Sequence, residues 1–467
     1  MLSFYVENFG CRATQADGAA IERQLRERGL ERAPQPEEAQ VVVLNTCTVT
    51  ASADQDVRAT IRRIHRGNPE CKILVTGCYA QRAPQELAAL PGVQWVIGNS
   101  HKQQVGDVVC GGDGFVPLGM ISPARLGRAT APAQVIIGDI FAHTELLAAP
   151  VFDPPPHRGL KPGDGDPGCG GAEKTRPNLK VQDGCDNRCS FCIIPSVRGA
   201  SRSLPMAEVL AQVGALVAGG FREVVISGIN LGRWGRDFAR PDRFVNLVRA
   251  IMERTELEKL RISSVEPMDW TQELIELAAG CERIAKHAHV PMQSGSDRVL
   301  RAMHRKYRPW HYAEKVRRIR QAMPAAAIGA DVMVGFPGET EADFAETRRM
   351  IEELPLTYLH VFTYSSRPGT RSAAMPNPVP VQVARERNRV LRALAAEKKR
   401  AFMNSFVGRE LPAITLGVGD DHSTEALTDN YLKMRLAGRH AANQWLGAQV
   451  QDVRADELFA TVPSMNH

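Results

Sequence analysis

The sequence predicts an α/β protein in three parts: an amino-terminal parallel-sheet α/β domain, a central partial or full (β/α) barrel, and a small carboxyl-terminal β-barrel. Two patterns carry this. Short apolar runs alternate with helix-period segments over the first hundred residues, and again for longer from Leu179 to about Thr363. That is the rhythm of βα units around a parallel sheet. Beyond one long charged segment, Glu410–Val462 turns to short alternating stretches between turn residues, as in a small all-β module. A chain of 467 residues has room for about three domains.

In the first part, residues 1–112, strands are expected at Ser3–Val6, Val41–Leu44, Ile73–Val75 and Trp95–Ile97, with helices over Ala16–Arg28 and Ala53–His65. The run VVVL has no polar side, as befits an interior strand covered on both faces. Residues 113–177 read as a linker or insertion. PPPHRGLKPGDGDPGCGGAEK has no apolar period, and Val135–Phe141 is the one strand-like run within it.

The second part, residues 178–403, offers strands at Leu179–Val181, Val224–Ser227, Lys259–Ser263, Ala288–Val290, Gly329–Val334 and Tyr358–Phe362. Helices fall at Met206–Ala218, Phe244–Arg254, Thr271–Ala279, Asp297–Met303, Pro309–Met323 and Glu341–Glu353, and one long helix covers Val381–Phe406. Six consecutive βα units fit a barrel with chemistry at the carboxyl ends of its strands. An open doubly wound sheet has the same periodicity. The third part, residues 404–467, carries LPAITL, YLKMRL, QVQDV and LFATV as strands.

Ten cysteines need a reason, since a chain this long buries cores without disulfides. MLSFYVENFGCRAT lacks the charged and apolar regions of a secretory leader, and no run of about 18 apolar residues offers a membrane span. A cytoplasmic protein without membrane contact is expected. Cysteines stay reduced there, so a cluster of them points to metal or catalysis. Cys185, Cys189 and Cys192 lie at x3 and x2 spacing in a polar loop after a strand. Such soft ligands suit an iron–sulfur cluster or zinc. Structural zinc wants four protein ligands, and no fourth cysteine or histidine is near. Three ligands leave one iron of a four-iron cluster open.

Cys11, Cys47 and Cys78 each follow an expected strand of the first domain. Loops after parallel strands share one sheet edge, so the three thiols can converge on a second cluster. Core residues at strand ends and a redox disulfide are the alternatives. Cys71, Cys110, Cys169 and Cys281 have no ligand-spaced partners. The twelve histidines show no H-x-x-H or H-E-x-x-H pattern, so a hydrolytic zinc site is not expected.

CDNRCSFC after a strand resembles the CxxxCxxC motif of radical S-adenosylmethionine enzymes. Together with Gly10-Cys11, Asn45-Thr46-Cys47, Gly77-Cys78 and a final β module, it resembles the methylthiotransferases among them. That resemblance implies two [4Fe–4S] clusters and S-adenosylmethionine. Cys185, Cys189 and Cys192 would hold the radical-generating cluster, and Cys11, Cys47 and Cys78 the sulfur-carrying one. The implied reaction replaces a substrate C–H by C–S–CH3. Lys180-Val-Gln182-Asp-Gly184, Arg198-Gly199 and Ser201-Arg202-Ser203 match the family's flanking runs. Ser227-Gly228-Ile229-Asn230, Glu266-Pro267, Gln293-Ser294-Gly295-Ser296 and Asp331-Val-Met-Val-Gly335 match its barrel motifs. The resemblance implies cofactor contacts at Gly228, Asn230, Glu266, Gln293, Ser294, Asp331 and Gly335.

Gly10-Cys11-Arg12 with Gln15, and Tyr364-Ser-Ser-Arg367-Pro368-Gly369-Thr370, resemble the branch acting on threonylcarbamoyladenosine. Thr14 departs from it, standing where the branch has Asn. The implied substrate is the tRNA anticodon stem-loop with a modified adenosine 37. A reductant such as flavodoxin or ferredoxin and a sulfur donor are the further implied partners. Isopentenyladenosine in tRNA and a ribosomal-protein aspartate are the family's other substrates. An RNA-binding protein with structural or redox-sensing clusters is the alternative of a different class.

The formal charge of +6 agrees with an anionic partner. Seven cations (Arg385, Arg387, Arg389, Arg392, Lys398, Lys399 and Arg400) stand against Glu386 and Glu397 in the long helix. They read as a phosphate-binding stripe or as a solvated face. Tyr431, Lys433 and Arg435 interleave an aromatic with cations in the β module, which resembles a TRAM domain. The expected RNA contacts are Arg389, Arg392, Lys398, Lys399, Arg400, Tyr431, Lys433 and Arg435.

Overall fold

The computed structural model describes residues 2–111, 133–143, 146 and 175–463. They form two compact units. The first joins Met1–Val151 to two short pieces, Asp183–Asn187 and Cys192–Arg202; the second holds Phe152–Gln182, Arg188–Phe191 and Ser203–His467. Most of the cysteine loop groups with the first unit, and the β module with the second. Most of the linker, Cys169 included, lies outside the described residues.

In the first unit, β1 (Ser3–Asn8), β2 (Glu31–Arg32), β3 (Val41–Thr46), β4 (Lys72–Gly77), β5 (Val93–Gly98) and β6 (Gln134–Ile136) form one parallel sheet in the order β2-β1-β3-β4-β5-β6. All six residues of β3 are buried, and alternation explains why. Val42 and Leu44 pack with Val57, Ile61 and Ile64 of the helix Ala51–Gly67. Val41 and Val43 pack with Ile21 and Leu25 of the helix Arg12–Glu27 on the other face. Each fully buried aliphatic side chain is worth about 1.5–3 kcal/mol. The first helix starts at Arg12, a turn before the expected Ala16, because Arg12–Gln15 carry little apolar period. The expected strand Val135–Phe141 is only β6, ending before Gly138.

In the second unit, β7 (Asn178–Asp183), β9 (Glu223–Gly228) and β10 (Lys259–Ile262) pair in parallel, with the two-residue β8 (Arg202–Ser203) at the edge. β11 (His287–His289), β12 (Ala327–Val334) and β13 (Tyr358–Thr363) form a second parallel set. Single parallel bridges, Leu260↔Ile284 and Ser264↔His289, link the two sets. Apart from the two-residue β8 at the edge, the strand order rises along the chain without reversal, which excludes a doubly wound sheet. No pairing joins β7 to β13 among the described residues, so the barrel is partial. Its helices match the expected ones to within a residue or so.

The helix Glu341–Glu353 shows how local sequence fixes these units. Thr340 Oγ1 accepts from Asp343 N–H, while Asp343 Oδ2 accepts from Thr340 N–H at 2.7 Å, a reciprocal cap. Ser296 Oγ donates to Asp343 Oδ1 at 2.6 Å, and Arg298 pairs with the same carboxylate. Against the cost of burial, Arg298, Ser296 and Thr340 hold this carboxyl well below its ordinary value of 3.8. A carboxylate so depressed stabilises the fold above that ordinary value and loses its effect as the pH falls through its lowered one. Asp343→Asn is expected to cost about 1–2 kcal/mol at neutral pH. In urea denaturation, that difference should shrink below pH 3.8.

The helix Val381–Asn404 packs along β13 and leads into a closed barrel of β14 (Glu410–Gly419), β15 (Ser423–Thr428), β16 (Lys433–Ala437), β17 (Trp445–Arg454) and β18 (Glu457–Thr461), ordered β14-β15-β16-β18-β17. β15 was not expected, because STEALT has no apolar alternation. The barrel is tied to the amino ends of the half-barrel strands. Arg261, fully buried, pairs with Glu223 at 2.6 Å and donates to the Asp429 and Thr428 carbonyls. Asn430 and Asn443 donate to the Ala325 and Gly220 carbonyls. No helix among the described residues is long and apolar enough to cross a membrane.

Candidate active site

Cys11, Cys47 and Cys78 directly follow or lie just beyond β1, β3 and β4, which are neighbours in the sheet. The shared carboxyl edge brings the thiols together. Burial pushes the Cys47 thiol up to about 12, with Cys78 and then Cys11 adding to the effect. Two glycines permit the approach. Gly10 has φ +101°, and a Cβ there would lie 2.5 Å from Cys47 Cβ and 2.9 Å from its Sγ. Gly77 has φ +99°, and its Cβ would strike Thr46 O at 2.4 Å. Thr14 fills its unusual place: its Oγ1 lies 3.5 Å from Cys11 Sγ. Asn99 Nδ2 donates to Cys78 Sγ at 3.5 Å and to Val197 O at 2.7 Å.

Beside the thiols runs a buried ionic network that sequence reading did not find. Arg198 pairs with Asp183 and with Asp17, each at 3.0 Å, and Lys102 Nζ lies 2.7 Å from Asp17. Although burial opposes its charge, Asp183, Cys78, Asp17 and Cys11 together hold the Arg198 guanidinium cationic. Arg198 was legible only as part of an R-G match. Asp17 and Lys102 sit in ordinary helical stretches without any signal. Three adjacent thiolates repel one another and need a cation to ionise together. The soft donor set at one sheet edge therefore fits an iron–sulfur cluster.

The CxxxCxxC loop is shaped by its own glycine. Gly184 has φ +69°, and a Cβ would lie 1.9 Å from Ala200 O. Cys185 N–H donates to Gly199 O at 3.1 Å, and Asn187 N–H to Cys185 Sγ at 3.4 Å. Cys192 precedes the helix Ile194–Arg198. In the second unit, Cys189 Sγ accepts from Arg305 Nη1 at 3.2 Å. Ser190 beside it is pinned to Met303 O, Ala302 O and Ser372 N–H. All three cysteines are partly exposed, and thiols are soft donors suited to iron–sulfur ligation. Arg305 also pairs with Glu266 and reaches Tyr307 Oη at 3.3 Å. Burial raises the Glu266 carboxyl and Arg305 opposes this. Nothing in HRKY marked Arg305 and Tyr307, whose roles arise only in the fold.

The residues expected at the cofactor separate into groups. Gly228 ends β9, where a Cβ would lie 2.9 Å from Gln182 Cβ and Oε1. Asn230 N–H donates to that same Oε1 at 2.7 Å. Ser227 Oγ nearby is buried with no hydrogen-bond partner among the described residues, a polar atom suited to a polar cofactor. Gln293 has φ +62°; its amide bonds Asp331 O, and its carbonyl takes Met333 N–H. Ser294 is fully buried, with its hydroxyl 3.2 Å from Thr347 Oγ1 and accepting from Ser296 N–H. Its side chain braces the turn. Gly335, φ +79°, donates its N–H to Glu339, whose carboxylate also pairs with Arg387 at 3.0 Å. Asp331 lies within the sheet, 3.3 Å from His289 Nε2.

Several expected RNA contacts have partners inside the protein. Tyr431 has φ +68° and places its ring 4.6 Å from His287 and 6.0 Å from Tyr358. Its ring packs against the half-barrel. Lys398 Nζ is held by the Glu352 and Leu354 carbonyls, and Lys399 Nζ by Asp456 O. Arg435 pairs with Glu425 and Glu457, and Arg389 with Glu386. Arg392, Arg400 and Lys433 are exposed.

Residues 3–98 match the uncharacterized protein family UPF0004, and residues 179–351 the radical SAM superfamily. The chain is 35% identical over 444 residues to the threonylcarbamoyladenosine tRNA methylthiotransferase MtaB of Bacillus subtilis, covering 94% of this chain and 91% of that one. It is 34% identical to the Aquifex aeolicus protein of the same name, over 92% and 96%. It is also 34% identical to a tRNA-2-methylthio-N(6)-dimethylallyladenosine synthase of Thermobifida fusca, over 88% and 77%. In fold it is similar to the radical S-adenosylmethionine methyltransferase TsrM of Kitasatospora setae, with TM-score 0.54, 14% identity, and 80% and 75% of the two chains covered. These similarities run through both thiol sets and the half-barrel, and the chain belongs to the radical S-adenosylmethionine methylthiotransferase family.

Proposed function

We propose that this protein replaces the C2 hydrogen of N6-threonylcarbamoyladenosine, at position 37 of tRNA, by a methylthio group. The similarity over nearly its whole length to methylthiotransferases of that name carries the reading. Cys185, Cys189 and Cys192 hold the [4Fe–4S] cluster of the radical SAM family, and Cys11, Cys47 and Cys78 hold a second one. When bound, these clusters and S-adenosylmethionine supply the one-electron and sulfur chemistry. Arg305 sets its cation against Cys189 and Glu266, fixing both within the half-barrel. Gly228 and Asn230 shape the end of β9 for the cofactor. A reductant such as flavodoxin or ferredoxin, a sulfur donor and a cytoplasmic setting complete the reading.

The test is the nucleoside profile of tRNA from a deletion strain, by mass spectrometry. Unmethylthiolated threonylcarbamoyladenosine should accumulate. Accumulation of isopentenyladenosine would move the assignment to the other tRNA branch, and an unchanged profile would remove tRNA as substrate.

Two further outcomes are expected. Gly10→Ala forces a Cβ onto Cys47 at a strained φ, costing about 1–3 kcal/mol. Reconstituted protein should lose the iron bound by Cys11, Cys47 and Cys78 while retaining the 5′-deoxyadenosine formation of the CxxxCxxC cluster. Exposed Arg392, Arg400 and Lys433 are the proposed phosphate contacts. Each neutral replacement should flatten the log–log salt dependence of RNA binding by about 0.7–0.9, measured by filter binding across a salt series.

A further inference from the structure

Three side chains from adjacent strands of the half-barrel converge where no cysteine lies. His289 ends β11, Asp331 is midway along β12, and His360 is midway along β13 and paired in register with Asp331. One ligand atom from each lies within 4.8 Å of the others. Alternation places them. Ile328, Ala330, Val332 and Val334 are fully buried, so Gly329, Asp331 and Met333 take the opposite face. The walls around the three atoms are polar rings. His289 and His360 have centroids 5.6 Å apart, and Tyr358 lies 6.0 and 5.4 Å from them. Tyr358 crosses Gly329, where a Cβ would lie 2.0 Å from its ring.

The unmet polar atom of this group is on His289. That side chain is nine-tenths buried, and its Nε2, 3.3 Å from Asp331 Oδ1, makes no hydrogen bond among the described residues. An unmet buried polar atom is costly unless a ligand completes it. His360 on the next strand but one is exposed and gives the group an open side.

We infer that His289, Asp331 and His360 form the subsite that receives the carboxylate-bearing threonylcarbamoyl substituent of the target adenosine, an inference that rests on the substrate reading above. The substituent carries one carboxylate, a hydroxyl and urea N–H groups. Imidazole N–H groups of His289 and His360 donate to the carboxylate, and the Asp331 carboxylate accepts from a urea N–H or the hydroxyl. An isopentenyl group offers neither donor nor acceptor and would leave all three side chains desolvated and unmatched, which penalises it. Asp331, expected from sequence at the cofactor, is thereby assigned to the substrate.

The test compares anticodon stem-loops carrying threonylcarbamoyladenosine, isopentenyladenosine or plain adenosine at position 37, with the reconstituted holoenzyme. Wild type should bind the threonylcarbamoyl loop at least roughly 10-fold more tightly than the plain loop. In His360→Ala and in Asp331→Asn that ratio should fall to within about twofold, and the loss in turnover should appear chiefly in KM. An unchanged ratio in both variants would overturn the inference while leaving the substrate reading intact. So would a stoichiometric divalent metal, found by elemental analysis and lost in His360→Ala, because two histidines and an aspartate also make a metal site. Wild-type preference for the isopentenyl loop would overturn the substrate reading itself, and the inference with it.

Discussion

Replacing Cys185, Cys189 and Cys192 together by Ala is expected to abolish the formation of 5′-deoxyadenosine from S-adenosylmethionine under reducing conditions. Among the described residues of the half-barrel after this loop, the only cysteine is Cys281, which follows the helix Gln272–Gly280. Iron and sulfide assays after reconstitution should find about half the wild-type content. The remaining iron belongs to Cys11, Cys47 and Cys78, whose support by Gly10, Gly77 and Thr14 owes nothing to the replaced residues. The converse triple replacement, at Cys11, Cys47 and Cys78, should leave 5′-deoxyadenosine formation while ending methylthiolation, read by mass spectrometry of the RNA. If the first variant loses all of its iron, the two-cluster arrangement is wrong.

The second large effect concerns stability. Arg198→Met should lower the stability of the first unit by about 3–5 kcal/mol, the usual cost of removing one partner from a buried ion pair. Asp17 and Asp183 would then both lose the guanidinium they share, while Lys102 keeps its 2.7 Å contact with Asp17. A denaturation midpoint gives the loss. Adding Asp183→Asn to Arg198→Met removes a carboxylate charge that the guanidinium had balanced and should recover a large part of it, as non-additive partners do. A simple packing role for the Arg198 stem predicts no such recovery.

Most of the fold was legible because its elements are strongly patterned. VVVL announces an interior parallel strand, and the strand–helix alternation from β7 to β13 follows a fixed rhythm. What separates a partial barrel from a doubly wound sheet is strand order, which no local pattern encodes. β15 escaped notice because STEALT buries alternate side chains without being apolar. The six cysteines were legible because thiols are rare and their spacing is chemical. Arg305, Asp17 and Lys102 were not, because a buried charge is recognisable only from the opposite charges that surround it. His289 and His360 sit one to a strand, about seventy residues apart, so no linear motif unites them. Within the basic stripe of the long helix, no sequence pattern marks that Arg387 pairs with Glu339 and that Lys398 donates to carbonyl oxygens.

The ring of Tyr431 makes the β-barrel and the half-barrel share a wall. It packs on His287, which bonds Tyr358 Oη at 2.7 Å, and Tyr358 in turn flanks His289 and His360. Shortening the chain to end at residue 403 would therefore not be a clean removal of an RNA-holding module. It would strip the backing from the very rings that border the substituent's chamber and leave Arg261 without two carbonyl partners. Affinity and substrate choice would fall together, and neither loss could be charged to the missing barrel alone.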